Sequence, residues 1–374
     1  MRSRLTCFIH SLVFLAHPVV ARETVSSLPL TRSHFSTMAC SSVPSMMRAV
    51  RVHEIGDAST LRFEETVPVP SDLKPNQILV RTEYSGINYI DTYHRSGLYK
   101  LPLPFVIGRE GAGEVAALGV AVEREKRFSL GDRVAYFAQG SCAEFVAVEA
   151  DSAYKLPEQV STEVAAASFL QGLTAHYLAS TTYAIRPGDW VLVHAAAGGT
   201  GQLLVQIAKL RGATVIATVG SEAKSKIAKD CGADHVVNYG TTDFSTEVLR
   251  LTEGKGCAAV YDGVGLATYQ GSMKCVKRLG VLVLFGNASG PVPPINPLDL
   301  TNAGSIYLVR PSLKDYIATV EELDSRSDEL FHWLSTGKLK LNVAQTFSLS
   351  QVADAHRALE SRALAGKLLV GMAL

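Results

Sequence analysis

Trp190-Val191-Leu192-Val193-His194, then Ala195, then Ala196-Ala197-Gly198-Gly199-Thr200-Gly201 is the stretch that decides the fold. An apolar run of strand length leads into a turn of small residues. The next segment, 202–210, carries Leu203, Ile207 and Leu210 at helical spacing. Small residues permit a tight turn and let the backbone approach a pyrophosphate. The helix N-terminus behind them offers unpaired N–H groups and the positive end of its dipole. A glycine pattern alone often marks only a turn; strand before and helix after make it a dinucleotide signal. Ala197, Gly198, Gly199, Thr200 and Gly201 are the residues it nominates.

The following rhythm agrees. Strands are predicted at 214–218, 235–239, 258–262 and 281–285, with 305–309 closing the sheet, and a helix at 222–231 ends at Gly232. Continuous apolar strands alternating with amphipathic helices imply a parallel sheet covered on both faces, the doubly wound Rossmann arrangement. The predicted end of the second strand, Thr218-Val219-Gly220-Ser221, lacks the acid that would bond a ribose diol. Lys224 and Lys226 follow, and a cation with a hydroxyl suits a 2′-phosphate. NADPH is the cofactor this favours. Lysines that merely coat an exposed helix are the plainer reading.

Before residue 160 the pattern is strand-rich, at 49–52, 77–82, 108–118 and 132–138, with Gly-containing turns between. The tail predicts helices over 316–334 and 352–362 and a last strand at 368–370. The expected class is α/β. A β-rich domain over 47–172 precedes a Rossmann domain over 173–308, and residues 309–374 return to the first domain.

The first 46 residues differ. Up to Met47 there is one acidic residue, Glu23, against Arg2, Arg4, Arg22 and Arg32, with frequent Ser and Thr. Such a leader reads as an organelle transit peptide, mitochondrial or plastid. A secretory signal over 12–21, interrupted by His17 and Pro18, and a later start at Met38, Met46 or Met47 with a cytosolic product are the rivals. The net charge of +1 gives no global bias toward nucleic acid. No later stretch is long and apolar enough to span a bilayer. The six cysteines form no C-x-x-C pair, so neither a disulfide framework nor a zinc cluster is expected.

The spaced string Gly188-Asp189-x-x-Leu192-x-x-x-Ala196-Ala197-Gly198-Gly199-x-Gly201-x-x-x-x-Gln206-x-x-Lys209 resembles the signature of the quinone oxidoreductase/zeta-crystallin family. Gly86-Ile87-Asn88-Tyr89-Ile90-Asp91-Thr92-Tyr93, Ser96-Gly97-Leu98-Tyr99, Phe285-Gly286-Asn287 and Arg310-Pro311-Ser312 resemble it too. The resemblance runs from Met47 to the C-terminus. It implies the medium-chain dehydrogenase/reductase architecture, a GroES-like domain interrupted by the Rossmann domain, with NADPH in the cleft. It implies that Asn88, Tyr93 and Tyr99 line the acceptor pocket, with Tyr93 or a water supplying a proton. Asp91 reads as a turn or capping residue with no chemistry. The implied cofactor contacts are Thr174, Gly199, Thr200, Gly220, Ser221, Lys224, Tyr239, Phe285, Gly286, Asn287, Arg310 and Arg362. Gly263 stands where the family commonly shows Ser.

Zinc alcohol dehydrogenases share this architecture, with Cys and His ligands where this chain has Asn88 and Arg109. Neither is a usable ligand there, so no metal is expected. The function implied is NADPH-dependent reduction of quinones. The alternatives are reduction of an enal or enone double bond, or a structural or RNA-binding NADPH-binding protein. A homodimer pairing through the strand near 305–309 is expected by the same resemblance.

Overall fold

The computed structural model describes residues 43–373. The leader reading of residues 1–46 therefore falls almost wholly outside the described residues. Met46 already pairs with Pro68, and the Val69 N–H donates to the Ser45 carbonyl. The described fold thus begins ahead of residue 47.

The first part carries β1 (Met46–Val52), β2 (Leu61–Pro68), β3 (Gln77–Ile87), α1 (Tyr89–Arg95), β4 (Phe105–Val106), β5 (Glu110–Leu118), α2 (Val120–Glu125), β6 (Arg133–Phe137), β7 (Phe145–Glu149) and β8 (Ala153–Lys155). Helix α3 (Thr162–Tyr177) follows, with Ser161 accepting from the Val164 N–H as its N-cap. Next come β9 (Trp190–Val193), α4 (Gly199–Leu210), β10 (Thr214–Val219), α5 (Glu222–Asp230), β11 (His235–Asn238), α6 (Phe244–Leu251), β12 (Cys257–Asp262), α7 (Tyr269–Lys274), β13 (Val276–Leu284), α8 (Pro297–Asn302) and β14 (Tyr307–Val309). The tail holds α9 (Val320–Ser335), β15 (Val343–Ser348), α10 (Val352–Ser361) and β16 (Lys367–Gly371).

The Rossmann sheet runs β11-β10-β9-β12-β13-β14, and its ladders are parallel. Its order reverses at β9, so the crevice beyond the carboxyl ends of β9 and β12 is where such sheets bind ligands. The larger sheet runs β15-β16-β3-β5-β6-β8 with β7 on β3. Strand β16 lies antiparallel to β3, so the last residues complete the sheet of the first domain.

Helix α3 is what the sequence reading missed. Buried Ala165, Ala166, Ala167 and Ser168 on one turn and Leu173 to Tyr177 on later ones bury it on nearly every side. A helix buried all round has no polar stripe to reveal its period. It packs against α4, β5 and α9, where Phe331 stacks on Phe169 at 6.2 Å. The boundary drawn at 172/173 cuts through this continuous helix. Helix α9 begins at Val320 rather than 316, because Thr319 and Glu322 form a capping box there.

Candidate active site in the interdomain cleft

At the end of β9 the chain turns through Ala195, whose φ is +49°. The Ala196 N–H bonds the Thr218 carbonyl, which pins the turn to β10. Helix α4 opens at Gly199, and Gly198 at its N-cap offers no side-chain acceptor. The first N–H groups of α4 are therefore left for a ligand. A Cβ on Gly201 would lie 2.4 Å from the Ala195 carbonyl oxygen and 2.8 Å from Ala196 Cα. Glycine is obligatory there because the obstacle is backbone.

A buried polar network floors this turn. His194 Nδ1 lies 2.8 Å from the Thr218 hydroxyl and its Nε2 lies 3.0 Å from the Ser272 hydroxyl. Ser272 and Thr268 donate to the Asp262 carboxylate, which also accepts the Val264 and Gly265 N–H groups. Asp262 thereby shapes the Gly263 turn. A Cβ on Gly263 would meet the Phe285 ring at 2.8 Å, so glycine at this position and Phe285 fit as a pair. Burial pulls the His194 imidazole below its usual range, so it stays neutral in the network.

Beyond the end of β10, Gly220 faces the Tyr239 ring. Ser221 caps α5 without a side-chain hydrogen bond, which leaves its hydroxyl available. Lys224 donates to the Arg362 carbonyl at 2.6 Å, and Arg362, in the left-handed region at φ +56°, donates to the Ala288 carbonyl at 2.8 Å. Two cations thus stand together with carbonyls as their bonded partners. Burial first, and the Arg362 charge second, lower the Lys224 pKa. An anion such as a 2′-phosphate would relieve that repulsion.

The opposite wall comes from α1 and the loop behind it. The Asn287 backbone N–H donates to the Tyr93 hydroxyl at 2.9 Å, and the Asn287 amide lies 3.2 Å from the Tyr99 hydroxyl. Arg310 donates to Tyr99 at 2.9 Å and to the Leu284 carbonyl at 2.7 Å. The two tyrosine rings meet edge to face at 5.2 Å. Burial raises the Tyr93 pKa to about 12 against the opposing Asn287 N–H. The hydroxyl therefore keeps its proton at neutral pH, and among the described residues that proton has no acceptor.

Asn88 sits behind this wall. Its amide nitrogen donates to the Gly86 carbonyl and to Glu110, and its oxygen accepts from Gln171 and Lys367. Arg109 lies 4.7 Å from the centre of the Phe137 ring and lines a cleft of about 460 Å³ with Gln139, Lys314 and Ile317. At the two zinc-ligand positions stand an amide with all its bonds committed and a guanidinium without a lone pair.

Asp91 bonds the Asn88 N–H through one oxygen at 2.8 Å, the capping role expected of it. Its other oxygen is buried without a partner, and burial raises its pKa from 3.8 to about 7. A carboxyl raised in the folded state binds more protons folded than unfolded between those two values. The stability it contributes is therefore complete below pH 3.8 and is lost as pH climbs to 7. Asp91→Asn should flatten the fall in melting temperature between pH 4 and 7. Parallel slopes in the two proteins would contradict this.

The structure thus brings Tyr93, Tyr99, Phe285, Gly286, Asn287 and Arg310 into one wall. It gathers the glycine turn, Gly220, Ser221, Lys224, Tyr239 and Arg362 along the other, and Thr174 is buried on α3. Sequence reasoning passed over Lys367, Gln171, Tyr89 and the His194–Asp262–Ser272 network. Tyr89 donates to the Leu359 carbonyl beside Arg362.

The family description "Alcohol dehydrogenase GroES-like domain" matches residues 74–185, and "Zinc-binding dehydrogenase" matches residues 199–324. A quinone oxidoreductase of Salmonella typhimurium is 43% identical over 331 residues, covering 87% of this chain and 99% of the relative. A 2-haloacrylate reductase of a Burkholderia species is 36% identical over 335 residues, with the same two coverages. The crystal structure of Escherichia coli quinone oxidoreductase complexed with NADPH superimposes with a TM-score of 0.83 at 42% identity, covering 87% of this chain and 99% of that one. Similarity at this level along both domains makes the chain a member of the quinone oxidoreductase family of medium-chain dehydrogenase/reductases.

Proposed function

We propose that this protein reduces quinones with NADPH, without a metal. The observation that carries the reading is the Tyr93 hydroxyl, which accepts the Asn287 N–H and, among the described residues, has no acceptor for its own proton. The relatives named above, one of them complexed with NADPH, support the same reading.

The chain's own residues divide the work. The α4 N-terminus would hold the pyrophosphate, and Lys224 with Arg362 would grip the 2′-phosphate. Bound NADPH supplies a hydride from its nicotinamide. Phe285, Gly286 and Asn287 would flank the nicotinamide. Tyr93 and Tyr99 present hydroxyls to the acceptor oxygen, stabilise charge developing there, and Tyr93 delivers a proton that water returns. A quinone is electrophilic enough for donors of this strength to serve.

The deciding experiment follows NADPH oxidation with a panel of quinones and enals, before and after exhaustive chelation. Quinone turnover that survives chelation and strongly prefers NADPH over NADH is expected. Turnover of enals alone would move the assignment to double-bond reduction. With every acceptor inert, the binding-protein reading would replace it. Tyr93→Phe should lower kcat for quinone roughly tenfold, with the Michaelis constant for NADPH unchanged. An unchanged kcat would remove Tyr93 from proton delivery.

We further infer an organelle address for the leader, supported by its Arg- and Ser-rich, acid-poor composition. N-terminal sequencing of the protein from its native cell tests it. A homodimer through β14 is supported by the exposed Tyr307 on that edge strand. Light scattering of Tyr307→Glu, expected to be monomeric, tests that.

A further inference from the structure

Among the described residues Lys367 is the one buried lysine, 2% exposed, and its ion-pair partner Glu110 is 0% exposed. Taking both charges out of water is costly, and an apolar pair of similar volume would often serve stability as well. Their hydrogen bonds suggest what the pair achieves. Lys367 Nζ donates to the Asn88 amide oxygen at 3.0 Å and also to Glu110. Glu110 accepts from the Asn88 amide nitrogen at 2.9 Å and, through its second oxygen, from the Leu170 N–H of α3 at 2.5 Å. Gln171 donates to the same Asn88 oxygen at 3.1 Å. With the bond to the Gly86 carbonyl, every donor and acceptor of the Asn88 amide is committed.

The cluster has been given room. A Cβ on Gly86 would fall 2.1 Å from the Glu110 carboxylate, and a Cβ on Gly199 would fall 1.9 Å from the Gln171 amide oxygen. Gln171 therefore rests against the cofactor turn at one end and holds Asn88, the residue before α1, at the other. β16, β5, α3, α1 and α4 meet through these side chains.

We infer that Lys367 is a positioning residue for the reduction. With Glu110 it locks the Asn88 amide, and through Gln171 it registers the cofactor turn at Gly199 against α1, which carries Tyr93. The two walls of the cleft then keep the one spacing at which donor and acceptor carbons meet. Such spacing is worth large factors in rate. The inference rests on the proposed reduction, and its test includes a readout independent of turnover.

Two variants cut the chain of contacts at different ends: Lys367→Met with Glu110→Gln, which leaves no unpaired charge, and Gln171→Met, which spares the ion pair. Each is compared with the parent for melting temperature, NADPH affinity, quinone kinetics with NADPH and its C4-deuterated form, and amide exchange. NADPH affinity should hold within about twofold, because neither variant removes the backbone N–H groups of α4 or the cations assigned to the phosphates. The kcat should drop roughly tenfold or more and the isotope effect on kcat should rise. NADPH should protect amides of both 199–202 and 89–95 in the parent, and of 199–202 alone in the variants. Folded variants with parental kcat and parental protection of 89–95 would overturn the inference. Should the double variant fail to fold, Gln171→Met decides alone. A parent that turns over no quinone would sink the functional reading, and the exchange comparison would still judge the positioning.

Discussion

Gly201→Val is expected to remove measurable NADPH binding. The new Cβ would stand 2.4 Å from the Ala195 carbonyl and within 3.0 Å of two Ala196 backbone atoms. Those atoms belong to the turn that the Thr218 carbonyl anchors, so they cannot yield as a side chain would. Either α4 shifts or the turn opens, and both withdraw N–H groups from the pyrophosphate. Overpacking of this kind costs about 1–3 kcal/mol before any lost contact is counted, and the combined loss should reach roughly a hundredfold or more in affinity. Gly198→Ala is the control. Its nearest obstacle is the Ala195 oxygen at 3.2 Å and its φ of −76° suits any residue, so a small loss is expected. Titration of cofactor fluorescence, with circular dichroism to verify folding, separates the two. Similar affinities for both would mean that the turn does not cradle the dinucleotide.

The second large effect is one of selectivity. Lys224→Ala with Arg362→Ala should raise the Michaelis constant for NADPH about a hundredfold, and that for NADH less than about twofold. A charge-assisted hydrogen bond is worth about 1.5–3 kcal/mol when shielded. Arg362 is exposed and Lys224 half-buried, so solvent screening reduces each to about 1.4 kcal/mol, or tenfold. The difference should shrink as salt is raised. Equal losses for both cofactors would place the two cations at the pyrophosphate instead of the 2′-phosphate.

The Rossmann half was legible from residue 190 onward because its signals are local. Apolar runs such as Val191 to Val193 and 281–284 read as buried strands, and glycines at 212 and 232 close helices after turns with positive φ. The glycine turn and the absent acid beyond β10 were equally readable. The first domain was less so. Its strands alternate polar and apolar irregularly, and α3 hides its period because it is buried on nearly every side. The acceptor wall was located only through resemblance, since Tyr93 and Asn287 lie far apart in sequence and no spacing connects them.

What the sequence by itself determined is whatever neighbours along the chain decide: strand, turn and helix at the cofactor site, and the cation beyond β10. What only the tertiary structure decided is which distant side chains share a proton or a charge. Lys367 reads as an ordinary lysine entering a strand until β16 lies against β3 and carries it to Glu110 and Asn88. Asp91 reads as a cap until burial leaves one of its oxygens dry and without a partner. Local pattern encodes backbone preference and the face to be buried. Pairing across the cleft depends on the packing of the whole, where desolvation gives each buried charge its consequence.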